Sequence, residues 1–290
     1  MSMGCSSIAL DFGTALHAAM PFCYPESKAD VRENTKLALA EFKKHWPAEC
    51  EEEGNEKRNL GRAHGILKHF CLTHIKGSRM YDIIPVPKAI GDIIGRPSNE
   101  FPFVIDLGLD RPVVGWIDAF GKHVHTGGLY PIDYKSCFEM SARFQKSLFL
   151  LPQGMMYATV ARDQLGPDAN VQGFAIEGIF VGKASYNNLV TFLEIQDFQY
   201  KWFLDWVTRT AADITACEKS GFWPRRMTGC NPYANFYQPG WTCDFSDVCR
   251  VRDWTSLIPI MHHAKESAFA LDLVKIMRLE KKDVRPSNPE

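Results

Sequence analysis

The sequence lacks any run of about 18 consecutive apolar residues, the length that a membrane-spanning helix requires. Residues 1–5 also lack the basic segment and the apolar core with which a secretory signal begins. Net charge is nearly absent as well, with a formal value of -1 over 290 residues. We therefore expect a cytoplasmic protein with no membrane partner, in which any contact with nucleic acid depends on local basic surface.

Repeats and low-complexity segments are absent too, and the composition, 46% hydrophobic and 23% charged, is that of an ordinary globular chain. A length of 290 residues suits one large domain or two small ones. Cysteine is not scarce, since the chain has nine. In a reducing compartment, clustered cysteines indicate metal binding rather than disulfide bonds.

The spacing of apolar residues predicts an α/β fold. Helical spacing precedes three short runs rich in Val, Ile, Phe and Tyr, which are typical of strands, and Gly127-Gly128 marks a turn. The expected helices cover 33–46, 57–75, 153–165, 195–220 and 261–279, and the expected strands cover 101–107, 113–120, 129–134 and 171–181. This order predicts a mixed sheet flanked by helices. We expect one domain over 1–290, with an N-terminal helical part (1–98), a sheet core (99–185) and a helical, cysteine-bearing part (186–290).

Two predicted strands each carry an acidic residue among apolar neighbours, Asp118 and Asp133. An isolated carboxylate is costly to bury unless it is paired or binds a metal. Lys135 follows Asp133 by two positions, so both side chains leave the same face of the strand. Two carboxylates suit a hard divalent cation such as Mg²⁺, and a nearby lysine stabilises developing negative charge. Taken alone, the Asp133/Lys135 pair is equally typical of an ordinary ion pair in a sheet.

Four short motifs occur in order along the chain. They are Gly13-x-x-x-His17 on a predicted helix, Gly115-x-x-Asp118 and Asp133-Tyr134-Lys135-Ser136 on predicted strands, and Gln153-x-x-x-Tyr157 at the start of the next helix. Because these four motifs occur in this order, the sequence resembles the RecB-like branch of the PD-(D/E)XK nucleases over most of its length. The resemblance implies a restriction-endonuclease-like core, with an N-terminal helical region and a C-terminal cysteine-bearing lobe.

The same resemblance implies a metal site for Mg²⁺ or Mn²⁺. His17 would join Asp118 and Asp133 as a ligand, and Tyr134 would offer its backbone carbonyl; the alternative for His17 is a core histidine. Glu100 precedes the first strand, where relatives often carry an acidic residue, and is either a supporting group or a solvated loop residue.

Asp118, Asp133 and Lys135 would be the catalytic residues, joined by Gln153 and Tyr157. The last two lie four positions apart and share a helix face, which in the family contacts the DNA backbone or orients catalytic groups. The alternative is a helix cap with a buried tyrosine.

Three cysteines near the C-terminus, Cys230, Cys243 and Cys249, resemble the motif that holds a 4Fe-4S cluster in many RecB-like nucleases. The fourth ligand would be Cys5, unless the natural N-terminus extends further or another residue substitutes. The alternative is a set of partly buried free thiols, which fits the other cysteines well. Those are Cys23, Cys50, Cys71, Cys137 and Cys217.

Aromatic and basic residues late in the chain are weaker candidates for DNA contact. Arg225 and Arg226 suit phosphate contact, whereas Trp202, Phe203 and Trp206 are interpreted as a core stripe at helical spacing rather than as a stacking surface.

The expected function is that of a metal-dependent DNA nuclease, most simply an exonuclease, acting on DNA in recombination, repair or phage DNA processing. Recombination or helicase proteins are the expected partners besides DNA, in a bacterial cytoplasm or in that of a phage host. Two alternatives remain at this point: a non-catalytic DNA-binding scaffold on a nuclease fold, and a structure-specific endonuclease.

If the 4Fe-4S cluster is present, protein purified without oxygen should be brown, because thiolate-bound iron–sulfur clusters absorb broadly in the visible. The measurement is an absorption spectrum with an iron determination. A colourless, metal-free and stable preparation would contradict the cluster.

Overall fold

A computed structural model describes residues 8–48, 50, 56–85, 99–106, 112–137, 148, 151–182 and 185–221. One compact unit comprises Gly4–Ile105 with Val114–Leu204, and a second comprises Met1–Met3, Asp106–Val113 and Asp205–Glu290. The first unit contains the sheet and all of the predicted metal-site residues.

Five α-helices lie in the described part of the chain: α1 (Ile8–Ala19), α2 (Val31–His45), α3 (Leu60–Thr73), α4 (Pro152–Leu165) and α5 (Asp197–Ser220). The four helices expected at 33–46, 57–75, 153–165 and 195–220 are thereby confirmed, and 261–279 lies outside the described residues. Local chemistry explains two helix starts. Asn59 caps α3 by accepting a hydrogen bond from Arg62 N at 2.9 Å, and Pro152 opens α4. Within the residues described, no helix has the length and apolarity to cross a bilayer.

Seven strands accompany these helices: β1 (Tyr81–Ile84), β2 (Phe101–Ile105), β3 (Val113–Ile117), β4 (Ala119–His123), β5 (Leu129–Cys137), β6 (Gly173–Phe180) and β7 (Asn188–Glu194). Five form a mixed sheet in the order β1-β4-β5-β6-β7, in which only β5 and β6 are parallel. Strands β2 and β3 pair separately. Parallel neighbours need a crossover connection, and α4 lies within the one between β5 and β6. The expected α/β fold with a mixed sheet and flanking helices is confirmed.

The strand expected at 113–120 differs from the structure, because it is broken at Asp118 into β3 and β4, which belong to different sheets. The Asp118 carboxylate accepts a hydrogen bond from the Tyr134 backbone N–H at 2.9 Å. The side chain thus occupies the place of a strand neighbour, and backbone pairing of β4 with β5 begins only at Ala119 and Ile132. Two further strands, β1 and β7, were not expected from the sequence; they are the edges of the five-stranded sheet.

Helices cover both faces of this sheet. The side chains of Tyr130, Ile132 and Tyr134 in β5 join the core formed with α1, α2 and α3. Helix α4 packs against β5 and β6. Because side chains alternate along a strand, Asp133 and Lys135 leave the face opposite Tyr134, the face towards α4.

One expectation about the core is wrong. Trp202 and Trp206 of α5 are exposed to 54% and 44%, whereas Phe203 between them is buried. The three positions lie within about 100° of one another on the helix, so their spacing allowed a common face. The buried stripe of α5 runs instead through Tyr200, Phe203 and Val207, which leaves both tryptophans outside it.

A buried contact between a histidine and a carboxyl group lies where the end of α3 meets β6. Glu177 is 0% and His74 is 3% exposed, and His74 Nε2 lies 3.2 Å from Glu177 Oε1. The other ring nitrogen of His74, Nδ1, lies 2.9 Å from the Phe70 carbonyl oxygen. Both ring nitrogens of His74 thus have polar partners inside the core, and Glu177 has the imidazole as one of its own.

Replacing His74 by alanine would leave the buried Glu177 carboxyl group without its histidine partner. We expect His74→Ala to lower the free energy of unfolding by about 3–5 kcal/mol, as measured by chemical denaturation. The matched control is His64→Ala on the exposed side of the same helix, with an expected change within about 0.5 kcal/mol. Equal effects of the two substitutions would contradict a stabilising contact between His74 and Glu177.

Candidate active site

Strand β5 brings Asp133 and Lys135 together as predicted. Lys135 Nζ lies 2.8 Å from Asp133 Oδ2 and donates a hydrogen bond to Oδ1 at 3.0 Å. Asp133 is 1% exposed, whereas the lysine side chain remains about one-third exposed. The ammonium is therefore held by a buried carboxylate while it can still reach a bound molecule.

Asp118 meets the same strand from the break between β3 and β4. Besides accepting the Tyr134 N–H, its carboxyl group lies within hydrogen-bonding reach of the Asp133 carboxyl group. Two carboxylates whose oxygens approach one another in this way need a proton or another cation between them. The predicted convergence of Asp118 and Asp133 therefore has a geometric basis.

His17 reaches this pair from the last turn of α1. Its Nδ1 lies 3.7 Å from Asp118 Oδ2. The Tyr134 main-chain carbonyl lies near enough to the ring to raise the pKa of His17, against the larger effect of burial, which lowers it. Gly13 lies one turn before His17, where α1 passes close to β5. A Cβ at Gly13 would lie 3.2 Å from Ser136 Oγ, so glycine allows α1 to approach β5 closely.

Gln153 and Tyr157 continue the line of contacts from Lys135. Lys135 Nζ donates to Gln153 Oε1 at 2.8 Å, and Gln153 Nε2 donates to the Tyr157 hydroxyl at 2.8 Å. The helix-cap alternative does not hold for Gln153, because the N-cap of α4 is Leu151 and no side chain caps it. The family uses this helix face either to contact the DNA backbone or to orient catalytic groups. The contacts of Gln153 and Tyr157 fit the second role, because they orient the Lys135 ammonium.

A small pocket adjoins these side chains, with room for about one water molecule or ion. Its walls are His17, Met20, Pro21, Asn99, Glu100, Asp118 and Tyr134. Glu100 therefore lies at the site, where its charge raises the pKa of Asp118. Asn99 was not found by sequence reasoning. Its Nδ2 is buried and without a hydrogen-bond partner among the described atoms.

Burial dominates the electrostatics of the cluster. It raises the pKa of Asp118 and of Asp133 to about 6 each, although the Lys135 charge opposes the rise at both. The negative charge of Asp118 raises the pKa of Asp133 further. Burial also lowers the pKa of His17, with Asp133 opposing it. At neutral pH the site therefore combines two costly carboxylates with an uncharged imidazole, the form in which histidine binds metal.

The donor chemistry fits a divalent cation. Asp133 Oδ2 is buried and receives no hydrogen bond, since the Lys135 contact at 2.8 Å lacks hydrogen-bond geometry. Two carboxylates, an imidazole and a carbonyl are ligands that Mg²⁺ or Mn²⁺ accepts. Within the described ranges, no three His, Cys, Asp or Glu side chains already surround one point at metal-site spacing. Binding would thus require His17 and Asp118 to turn from their present partners.

The remaining predictions concern the cysteines and two arginines, and the structure describes only some of these side chains. Cys23, Cys50 and Cys71 are buried, Cys217 is partly exposed, and none of these four forms a disulfide bond, as the free-thiol interpretation requires. The side chains of the following residues lie outside the part of the chain that the structure describes: Cys5, Cys137, Arg225, Arg226, Cys230, Cys243 and Cys249.

Sequence reasoning also missed Glu177, a buried acid in the apolar segment Ala175-Ile176-Glu177-Gly178-Ile179. The signal that singled out Asp118 and Asp133, a carboxylate within an apolar strand, was present here as well.

Comparison of the sequence with protein-family models and with curated proteins gave no match. The resemblance to the RecB-like nucleases therefore stays a prediction carried by the four motifs.

The raised pKa of Asp118 predicts how stability depends on pH when no metal is present. Its folded-state pKa is about 6 against an ordinary value of 3.8, so its protonation favours the folded state at low pH, and this contribution is lost as pH rises through about 6. Asparagine mimics the protonated form and still accepts the Tyr134 N–H. From pH 4 to pH 7.5, Asp118→Asn should gain about 1–3 kcal/mol of unfolding free energy relative to wild type.

The measurement is chemical denaturation of both proteins in chelator-treated buffer across this range. Asp163→Asn, on the exposed part of α4, is the control and should follow the wild type. Parallel curves for wild type and Asp118→Asn would contradict the assigned pKa.

Proposed function

We propose that this protein is a divalent-metal-dependent deoxyribonuclease of the RecB-like PD-(D/E)XK type. The observation that carries the proposal is the meeting of His17, Asp118 and Asp133 beside one strand segment, with Lys135 at its border. These residues come from three separate parts of the chain, so their convergence is not a consequence of sequence proximity.

Asp118, Asp133, His17 and the Tyr134 carbonyl would hold the metal. When bound, Mg²⁺ or Mn²⁺ supplies a Lewis acid for a phosphoryl oxygen and lowers the pKa of a bound water. Burial of the two carboxylates favours this occupant, because a divalent cation offsets the charge that their desolvation makes costly.

Lys135 has the role of stabilising negative charge on the phosphate that is cut, or of positioning the attacking water. Asp133 and Gln153 hold its ammonium at 2.8–3.0 Å, and Tyr157 holds Gln153. Such pre-positioning matters because a group that is already oriented needs no reorganisation during the reaction.

The DNA partner, exonucleolytic action and a place in recombination, repair or phage DNA processing belong to the same proposal and rest on the motifs. The bound strand would have to lie along Lys135, whose side chain is more exposed than those of His17, Asp118 and Asp133.

The proposal is tested with linear and closed circular DNA in Mg²⁺ or Mn²⁺. Wild type should degrade linear DNA and lose this activity in chelator. Asp133→Ala and Lys135→Ala should each lower the rate by at least about 100- to 1000-fold, because each removes a group that acts on transition-state charge.

Lys122→Ala, an exposed lysine of β4 in the same sheet, is the matched control and should retain the rate. Circular dichroism of each variant, with Asp133→Asn as a milder replacement, shows whether the fold persists. Wild type that cuts neither substrate would favour the scaffold alternative, and cutting of closed circles would favour an endonuclease.

A further inference from the structure

Tyr134 connects the two faces of the sheet. Its neighbours in sequence, Asp133 and Lys135, point towards α4, whereas its own ring is buried at 2% exposure among α1 and α3. The ring contacts Phe70 and His17 edge-on, each with a centroid separation of 6.1 Å. At the same residue the backbone N–H donates to Asp118, and the carbonyl lies near the His17 ring. The position of this single residue therefore determines where both predicted ligands lie.

The Tyr134 hydroxyl begins a buried chain of hydrogen bonds. Tyr134 bonds to Tyr24, Tyr24 lies 3.3 Å from the Tyr81 hydroxyl, and Tyr81 donates to Glu177 Oε2. A phenol has one proton to donate. Since Tyr81 uses its proton on Glu177, Tyr24 must donate to Tyr81 and Tyr134 must donate to Tyr24.

The far end of the chain is anchored beside its beginning. Glu177 on β6 is the direct neighbour of Tyr134 on β5 in the parallel ladder. Its other carboxyl oxygen, Oε1, accepts from Asn188 Nδ2 at 2.6 Å and meets His74 Nε2 at 3.2 Å. Gly121 makes room for the connecting ring, since a Cβ there would lie 2.8 Å from Tyr81 Cδ2. The hydroxyl chain thus forms a closed loop of contacts behind the strand.

This loop supports the one place where β5 has lost a backbone neighbour. Pairing with β4 starts at Ala119 and Ile132, so on that side the described contacts of the Tyr134 backbone are with the side chains of Asp118 and His17. Those are the two side chains that a metal would draw away. With the Tyr134 ring fixed from behind, the peptide keeps its orientation while its partners turn to a cation.

We propose that Tyr24, Tyr81 and Glu177 are positioning residues that act through Tyr134 to hold the metal-binding edge of β5. The inference rests on the proposed function, because it needs a metal at that edge. It goes beyond it by assigning a role in metal affinity to residues that touch neither the metal-site side chains Asp118 and Asp133 nor DNA. A network that only stabilises the fold would make a different prediction, since its loss would lower stability and leave metal affinity unchanged.

The experiment compares Tyr24→Phe with Tyr130→Phe in the full-length protein. Tyr130 is a matched control, because it is buried on the same strand and face and its hydroxyl donates to Gln172 at 2.8 Å, outside the chain. Binding of Mn²⁺ is measured by electron paramagnetic resonance at neutral pH, and thermal unfolding is recorded for each protein. We expect Mn²⁺ affinity to fall about 10- to 100-fold in Tyr24→Phe, the usual effect of losing an outer-shell partner, and to stay unchanged in Tyr130→Phe.

Tyr134→Phe provides a second route, since it breaks the first link while keeping the backbone groups, and it should match Tyr24→Phe. Equal Mn²⁺ affinity in wild type, Tyr24→Phe and Tyr134→Phe would overturn the inference and leave the proposed function standing. A fall in affinity of the same size in Tyr130→Phe would also overturn it, because the effect would then be general destabilisation. Wild type that binds no Mn²⁺ would overturn the proposed function, and the inference with it.

Discussion

The hydrogen bond from the Tyr134 backbone N–H to the Asp118 carboxylate is the contact on which the candidate site depends. In a continuous ladder that N–H would face the neighbouring strand. Here the chain bends at Asp118, β3 leaves for another sheet, and a carboxylate stands where a backbone carbonyl would be. The same bend exposes the Tyr134 carbonyl to His17. The backbone of β5 at Tyr134 therefore has no neighbour among the described strands on this side, and polar side chains contact it instead.

Burial of those side chains gives the edge its chemical character. Two carboxyl groups whose pKa values rise to about 6 have an unfavourable charge at neutral pH, and the partly exposed Lys135 compensates for only part of it. Such a cluster favours a cation over solvent. A carboxylate in an ordinary ion pair of the same unit has a lowered pKa instead of a raised one. Glu41, on the surface of α2, has its pKa lowered despite partial burial, because Lys44 and His45 hydrogen-bond to it.

The sheet separates the two kinds of polar chemistry in this unit. On the α4 face, Lys135, Gln153 and Tyr157 form an open line that ends at solvent. On the opposite face, the three phenols, Glu177 and His74 satisfy one another without solvent. Buried polar groups are costly unless their partners are complete, so the second arrangement is rigid. Tyr134 connects the two arrangements: its side chain belongs to the buried one, and its neighbours Asp133 and Lys135 point to the opposite face, because consecutive residues of a strand alternate.

By itself, the sequence determined what depends on short-range periodicity. Alternation along a strand put Asp133 and Lys135 on one face, helical spacing put Gln153 and Tyr157 on one face, and the α/β order followed from apolar patterns. Only the tertiary structure decided that β4 starts after Asp118, that α1 delivers His17 to the Tyr134 carbonyl, and that Glu177 anchors Tyr81. Those contacts join residues far apart in the chain, and local periodicity carries no information about which distant segments pack together. The edge strands β1 and β7 were not predicted for a related reason. A short strand forms mainly because a neighbouring strand pairs with it, and that neighbour cannot be read from the local sequence.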